Sequence, residues 1–152
     1  MIDYRFTDGV DADFVLLRRE LDAYLDELAG ALNIDRSQYI QYNQVNEIYE
    51  VVMAYAHDEP IGCASYKKYD LEVAEIKSVF VRPAHRGQGI SKVMLKKLEK
   101  CAEEQGYKTL ILESGEPLAA AMKVYRSLGY AVIPNYGHYV GMSDSVCMRK
   151  QL

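Results

Sequence analysis

The stretch VFVRPAHRGQGISKVMLKKLEK, Val79 to Lys100, limits the fold more than any other part of the chain. It joins a run of strand formers to an amphipathic helix. Proline cannot donate to a β ladder, so the strand must close at Pro83. Gly87 and Gly89 then let the backbone take positive φ and approach a ligand closely. The helix that follows opens with unpaired N–H groups and the positive end of its dipole, an arrangement that favours an anion. A strand, a bare loop and a helix start in that order predict an α/β connection that holds a phosphate or pyrophosphate. Arg86 adds charge at its edge, and Ser91 and Lys92 add a hydroxyl and an ammonium.

Two familiar phosphate loops fail here. A nucleoside-triphosphate loop needs lysine directly after its last glycine, but Ile90 and Ser91 follow Gly89. The dinucleotide fingerprint fits Gly87 and Gly89, and Glu113 ends the next strand at a suitable distance, but Lys92 occupies the third glycine position and no second mononucleotide half follows. A tight turn without a ligand is the bland alternative. Arg86 and the proline-stopped strand count against it.

The remaining sequence reads as alternating β and α segments. IDYRFTD is a first strand, and Phe14, Leu17, Leu21, Leu25 and Leu28 recur at helical spacing up to Gly30. The following ALNIDRSQYIQYNQVNEIYE is irregular, with room for a short helix. IYEVVMAYA, IGCASYKKY and VAEIKSVFV, separated by turns at HDEP and near Asp70, predict three antiparallel strands. A helix from about Ser91 to Gln105 carries Ile90, Met94, Leu98, Cys101 and Ala102 as its apolar stripe. KTLILES is a strand apolar enough to be covered on both faces. A helix over about Leu118 to Leu128 stops at Gly129, and two strands surround IPNYGHYVGMSDS. The order β-α-β-β-β-α-β-α-β-β is an α/β (α+β) arrangement: a mixed, mostly antiparallel sheet of six to seven strands with helices on both faces.

Composition narrows the class of function. The 152 residues suit one domain with a self-sufficient core. The three cysteines, Cys63, Cys101 and Cys147, are far apart, which argues for reduced thiols over disulfides or a thiolate metal site. His57, His85 and His138 lack metal-ligand spacing, so no metal is implied. A net charge of −4 argues against nucleic acid as a partner. No apolar run reaches the length of a membrane span, and the N-terminus has neither the basic nor the apolar region of a secretion signal, so a cytoplasmic protein is expected.

VFVRPAHRGQGISKVML resembles the acetyl-CoA-binding motif of the GCN5-related N-acetyltransferases, whose pattern is Arg or Gln, two residues, Gly, one residue, then Gly or Ala. Arg86, Gly89 and Ser91 take those positions, with serine departing from the pattern. YRSLGY is similar to the family's second cofactor motif, and the resemblance covers about the last hundred residues. It implies acetyl-CoA as the cofactor, lying between splayed central strands. Main-chain groups of Val79, Phe80 and Val81 would pair with the pantetheine arm, and the backbone of Arg86, Gly87, Gln88, Gly89, Ile90, Ser91 and Lys92 would surround the pyrophosphate. The resemblance also implies acetyl transfer to an amine by direct attack in a ternary complex. Tyr125 matches the family's general acid, and Glu75, six residues before Val81, matches the spacing of a catalytic glutamate. Pairing of Glu75 with Lys77 on the same strand face is the equal alternative, and Glu113 is a second candidate base. Leu118 stands where the family commonly has asparagine.

The acceptor site is expected in the segments outside these motifs. These are rich in tyrosine, with Tyr39, Tyr42, Tyr136 and Tyr139, whose rings and hydroxyls suit a small amine. The same tyrosines would serve equally as a core cap or a homodimer contact. Glu20, Asp22, Asp26 and Glu27 either attract a cation or form a solvated helix face. The expected function is N-acetylation of a small-molecule amine, amino acid, polyamine or peptide; a non-catalytic acyl-CoA sensor or scaffold is the alternative.

Overall fold

The computed structural model describes residues 1–37 and 50–152. The elements are β1 (Ile2–Asp8), α1 (Ala12–Ala31), β2 (Glu50–Ala56), β3 (Glu59–Lys68), β4 (Val73–Val81), α2 (Ile90–Glu104), β5 (Thr109–Ser114), α3 (Ala119–Ser127), β6 (Ala131–Ile133) and β7 (Val146–Gln151). The strands form a seven-stranded sheet in the order β1-β2-β3-β4-β5-β7-β6. All neighbours run antiparallel except β4 and β5. This is the mixed sheet the sequence predicts. The HDEP turn is shorter than its letters suggest: Ala56 pairs with Glu59, leaving His57 and Asp58 as a two-residue loop. Both have positive φ, the geometry that matches the twist of a hairpin.

Hydrophobic side chains divide between the two faces of the sheet. On one face, Ile76, Leu110 and Leu112 of the sheet bury against Met94, Leu95 and Leu98 of α2 and Met122 and Tyr125 of α3. On the other, α1 lays Phe14 and Leu17 over Val51, Met53, Cys63 and Phe80. Leu98 is fully buried and sits on the stripe that gives α2 its amphipathic character. Leu98→Ala should therefore destabilise the fold by about 2–5 kcal/mol, read from urea unfolding at constant slope.

One irregularity in β4 controls what each face presents. Cys63 pairs with Phe80 and Ser65 with Lys77, so one extra residue stands on β4 between these pairs. Ser78 adopts a φ of 55°, and the bulge reverses the alternation beyond it. Glu75 and Lys77 share one face, as their spacing predicts. Phe80 is then turned onto the α1 side, while Val79 and Val81 pack on the α2 side. The Ser65 hydroxyl donates to the Lys77 carbonyl at 2.6 Å, and the Cys63 thiol donates to the Ser78 carbonyl at 3.3 Å, which pins the bulge to β3.

Pairing between β4 and β5 ends at Glu75 and Ile111. Beyond that point the two parallel strands separate, and among the described residues the edge of β4 that faces β5 has no strand partner. The opening lies between Ile76 to Val81 on one side and Leu112 to Ser114 on the other. Among the described residues, no helix is long and apolar enough to cross a membrane.

Candidate active site

A cleft of about 870 Å³ fills this opening. Val79, Phe80, Val81 and Glu113 line it from the sheet, Gly87 and Gly89 from the loop, and Tyr125 from α3. Leu21, Leu25 and Leu28 of α1 also line it, so the lower part of the helix's apolar stripe is cleft wall rather than closed core.

At one end stands the start of α2. Gly87 and Gly89 have φ values of 80° and 75°, in the left-handed region that side chains disfavour. A Cβ at either position would meet nothing within 4 Å, so it is the backbone conformation and not crowding that calls for glycine. No side chain caps the helix. Its first intrahelical bond runs from the Val93 amide to the Gly89 carbonyl. The amides of Gly89, Ile90, Ser91 and Lys92 therefore have no acceptor within the helix, and all four residues line the cleft. This cradle fits a diphosphate. Ile90 can contribute only backbone, because its side chain is in the core. Gln88 is exposed and lies outside the cleft lining, unlike the other loop residues expected there. Arg86 donates through Nε to the Val81 carbonyl at 2.8 Å, with its guanidinium 4.7 Å from the centre of the Tyr24 ring. It ties the end of β4 to α1 beside the loop.

The other end collects ionisable groups. Tyr125 is 6% exposed and packs edge-on against Tyr130. Burial raises its pKa, helped by the charge of nearby Glu113, so its phenol keeps its proton at neutral pH. Glu113 is pushed up to about 7, chiefly by burial. A hydrogen bond from Ser145 and the charge of Lys77 oppose that rise, while the charge of Glu75 adds to it. Lys77 donates to the Tyr139 hydroxyl at 3.0 Å, and burial lowers its pKa.

Glu75 sits elsewhere. It is 3% exposed and outside the cleft lining, accepts a hydrogen bond from the Tyr136 hydroxyl, and faces Lys67 Nζ at 3.9 Å. Its place along the strand explains this: Glu75 pairs with Ile111 in the last register before β4 and β5 part, whereas Glu113 stands two residues beyond that pair, along the opening. In a flat strand, residues six apart share a face, but the extra residue at Ser78 puts Glu75 and Val81 on opposite sides. The carboxylate brought into the cleft is the sequence's second candidate, Glu113.

Of the four tyrosines expected around the acceptor, Tyr139 lines the cleft. Tyr136 stands behind it, edge-on to both Tyr139 and Tyr69, and Tyr39 and Tyr42 lie outside the described residues. Glu20 is bound by Arg82 through two hydrogen bonds, and Asp26 by Arg36; Asp22 lines the cleft and Glu27 is exposed. Leu118 precedes α3 and lines the cleft with an apolar side chain. Two cations in this region, Arg18 and Lys77, were given no role in the site from sequence. Their signal is in the pattern: Arg18 lies four residues after Phe14 on a buried helix face, and Lys77 interrupts an apolar strand.

A model of the Acetyltransferase (GNAT) family matches residues 16–130. The uncharacterized N-acetyltransferase YsnE of Bacillus subtilis is 34% identical over 101 residues, spanning 65% of this chain and 67% of that protein. An uncharacterized N-acetyltransferase of Schizosaccharomyces pombe matches over 56% of its own length. Among solved structures, a Klebsiella pneumoniae chain described as an acyl-CoA N-acyltransferase superposes with a TM-score of 0.78 at 29% identity, covering 98% of this chain and 97% of that one. A GNAT-family acetyltransferase from Elizabethkingia anophelis with acetyl-CoA bound shares the fold, with a TM-score of 0.69 at 21% identity and coverage of 99% and 98%. The cleft between splayed strands, the glycine loop at the start of α2 and the match over most of the chain agree: the protein belongs to the GNAT family of acetyltransferases.

Proposed function

We propose that the protein transfers an acetyl group from acetyl-CoA to a primary amine held in the same cleft. One observation carries this reading: a helix start open to a diphosphate, a half-buried carboxyl and a buried phenol line a single cleft. That the fold relative from Elizabethkingia anophelis was crystallised with acetyl-CoA supports the choice of cofactor. Bound acetyl-CoA would supply an activated acetyl thioester. The amides of Gly87, Gly89, Ile90, Ser91 and Lys92 would hold its diphosphate, and the free edge of Val79, Phe80 and Val81 its amide-bearing arm.

The chain's own groups manage the protons. An amine attacks only after losing its proton, and a carboxyl titrating near 7 can take that proton at neutral pH, directly or through water. Glu113 is therefore the base. Tyr125 holds its phenolic proton throughout the neutral range and is the donor, supplied by α3. Glu75 is a positioning residue: it holds Tyr136, and its charge helps set the pKa of Glu113.

Two predictions test these roles. Tyr125→Phe should lower turnover by roughly 10- to 100-fold while acetyl-CoA still binds. This lies at the low end of acid catalysis, because a thiolate whose conjugate acid has a pKa of about 8.5 leaves with little help. Unchanged turnover would remove Tyr125 from the mechanism, and an acyl-CoA sensor would bind acetyl-CoA without releasing thiol to any amine. The acid limb of the pH–rate profile should move upward in Ser145→Ala, which loses a hydrogen bond that lowers the Glu113 pKa. It should move downward in Glu75→Gln, which loses a charge that raises it. Limbs that coincide with wild type in both variants would mean that another group is being titrated.

A further inference from the structure

The segment between β6 and β7, residues 134–145, supplies a partner to each of three ionisable side chains on the neighbouring strands. Tyr136 donates its hydroxyl to Glu75, Tyr139 accepts from Lys77 at 3.0 Å, and Ser145 bonds to Glu113. Glu75 and Lys77 belong to β4 and Glu113 to β5, so one loop serves both strands at the place where they part. Tyr139 and Asp144 of the loop also line the cleft. The conformation of this loop therefore sets where the hydroxyls at the Glu113 end stand.

Two consecutive turns shape the loop. The Met142 amide donates to the Tyr139 carbonyl at 3.0 Å, and the Ser145 amide donates to the Met142 carbonyl at 3.1 Å. The Asn135 side chain joins them. Its Nδ2 donates to the Tyr139 carbonyl at 3.1 Å and to the Met142 carbonyl at 3.0 Å. A side-chain amide nitrogen carries two N–H groups, and here each meets the carbonyl that closes one turn. The reverse orientation would set Oδ1 against two carbonyl oxygens, so the contacts themselves assign the amide. Ile133 pairs with Cys147 at the end of the β6–β7 ladder, and Asn135 and Ser145 stand two residues out on opposite arms of the loop. Asn135 thus braces the loop just above its neck.

We propose that Asn135 is a positioning residue for acetyl transfer: by bridging the two turns it holds Ser145 against Glu113 and Tyr139 against Lys77. The proposal rests on the reading of Glu113 as the base. Lys77 and Glu75 of β4, Tyr125 of α3, Cys147 of β7 and Arg36 also act on Glu113 through their charges. Asn135 carries no charge and acts through the loop.

The test compares the pH–rate profiles of wild type, Asn135→Ala, Ser145→Ala and the double variant. Without the brace, the Ser145 bond that lowers the Glu113 pKa weakens, and the acid limb moves upward. In Asn135→Ala, kcat/KM should fall roughly 3- to 10-fold below about pH 7, the worth of one ordinary hydrogen bond, and recover towards wild type above the limb. The limb of the double variant should coincide with that of Ser145→Ala, because the two substitutions remove the same bond. Acetyl-CoA affinity, set at the glycine loop, should be unchanged and reports that each variant is folded. An equal loss at every pH, an unmoved limb, or limb shifts that add in the double variant would overturn the proposal. A measurement on the wild type needs no variant: the Asn135 side-chain amide protons should exchange with solvent more slowly than those of exposed Gln88, and equal rates would mean that no brace exists. Failure of the wild type to release thiol with any amine would remove the transfer reading. NMR titration of the Glu113 carboxyl carbon decides the brace separately, with an upward shift in Asn135→Ala for it and an unchanged pKa against it.

Discussion

Glu113→Gln should lower kcat/KM for acetyl transfer by about 10²–10⁴-fold, the usual contribution of a positioned general base, and should remove the acid limb of the pH–rate profile. The amide keeps the shape of the side chain but cannot accept the proton. In the wild type the rate should rise as pH passes through about 7, because the carboxyl titrates there and only its ionised form is a base. The same group links activity to stability. Its pKa is raised from the ordinary 4.5, so the folded protein favours the protonated carboxyl. That stabilisation is fully present below pH 4.5 and is lost as pH rises through about 7. Denaturant unfolding should therefore show wild type weakening relative to Glu113→Gln between those limits. Parallel stability curves for the two proteins, with the acid limb intact in the variant, would assign the base elsewhere.

Gly89→Glu should reduce acetyl-CoA affinity by at least about 100-fold while leaving a folded protein. The expected loss comes from charge: the new carboxylate projects at the four helix-start amides, where the diphosphate would bind. The effect on folding is smaller because two contributions oppose each other. A side chain at a φ of 75° costs roughly 1 kcal/mol, while an acidic group beside a helix N-terminus returns about 0.3–1 kcal/mol. Gly87→Ala offers a useful contrast. Its φ is 80° and its new methyl group meets nothing, so strain without added charge should weaken binding far less. Calorimetric titration distinguishes the two substitutions; equal losses would point to loop distortion instead of anion exclusion.

The glycine-loop end of the cleft was legible in the sequence because its determinants are local. Pro83, Gly87, Gly89 and the amphipathic stripe of α2 occur within some twenty residues, and each acts through its own backbone preference. The strand order was legible for a related reason, since turns and periodicity mark each element separately. The end that holds Glu113 depends on contacts between distant segments. Whether Glu75 or Glu113 enters the cleft is decided by where β4 and β5 stop pairing. Both strands contain a suitable glutamate, and alternation alone does not say where two parallel strands part. Arg18 was hidden by its neighbours: between Leu17 and Leu21 it reads as a polar interruption of a core helix, but α1 faces a cleft along that stretch.

The central claim is that one cleft binds acetyl-CoA at the glycine loop and transfers its acetyl group at Glu113. The most direct measurement is calorimetric titration of acetyl-CoA into the purified protein, followed by thiol-release assays against a panel of amines on the same sample. Saturable one-site binding that Gly89→Glu abolishes, followed by thiol release with an amine that Glu113→Gln suppresses, is the predicted result. An absence of acetyl-CoA binding, or binding undiminished in Gly89→Glu, would contradict the account at its foundation.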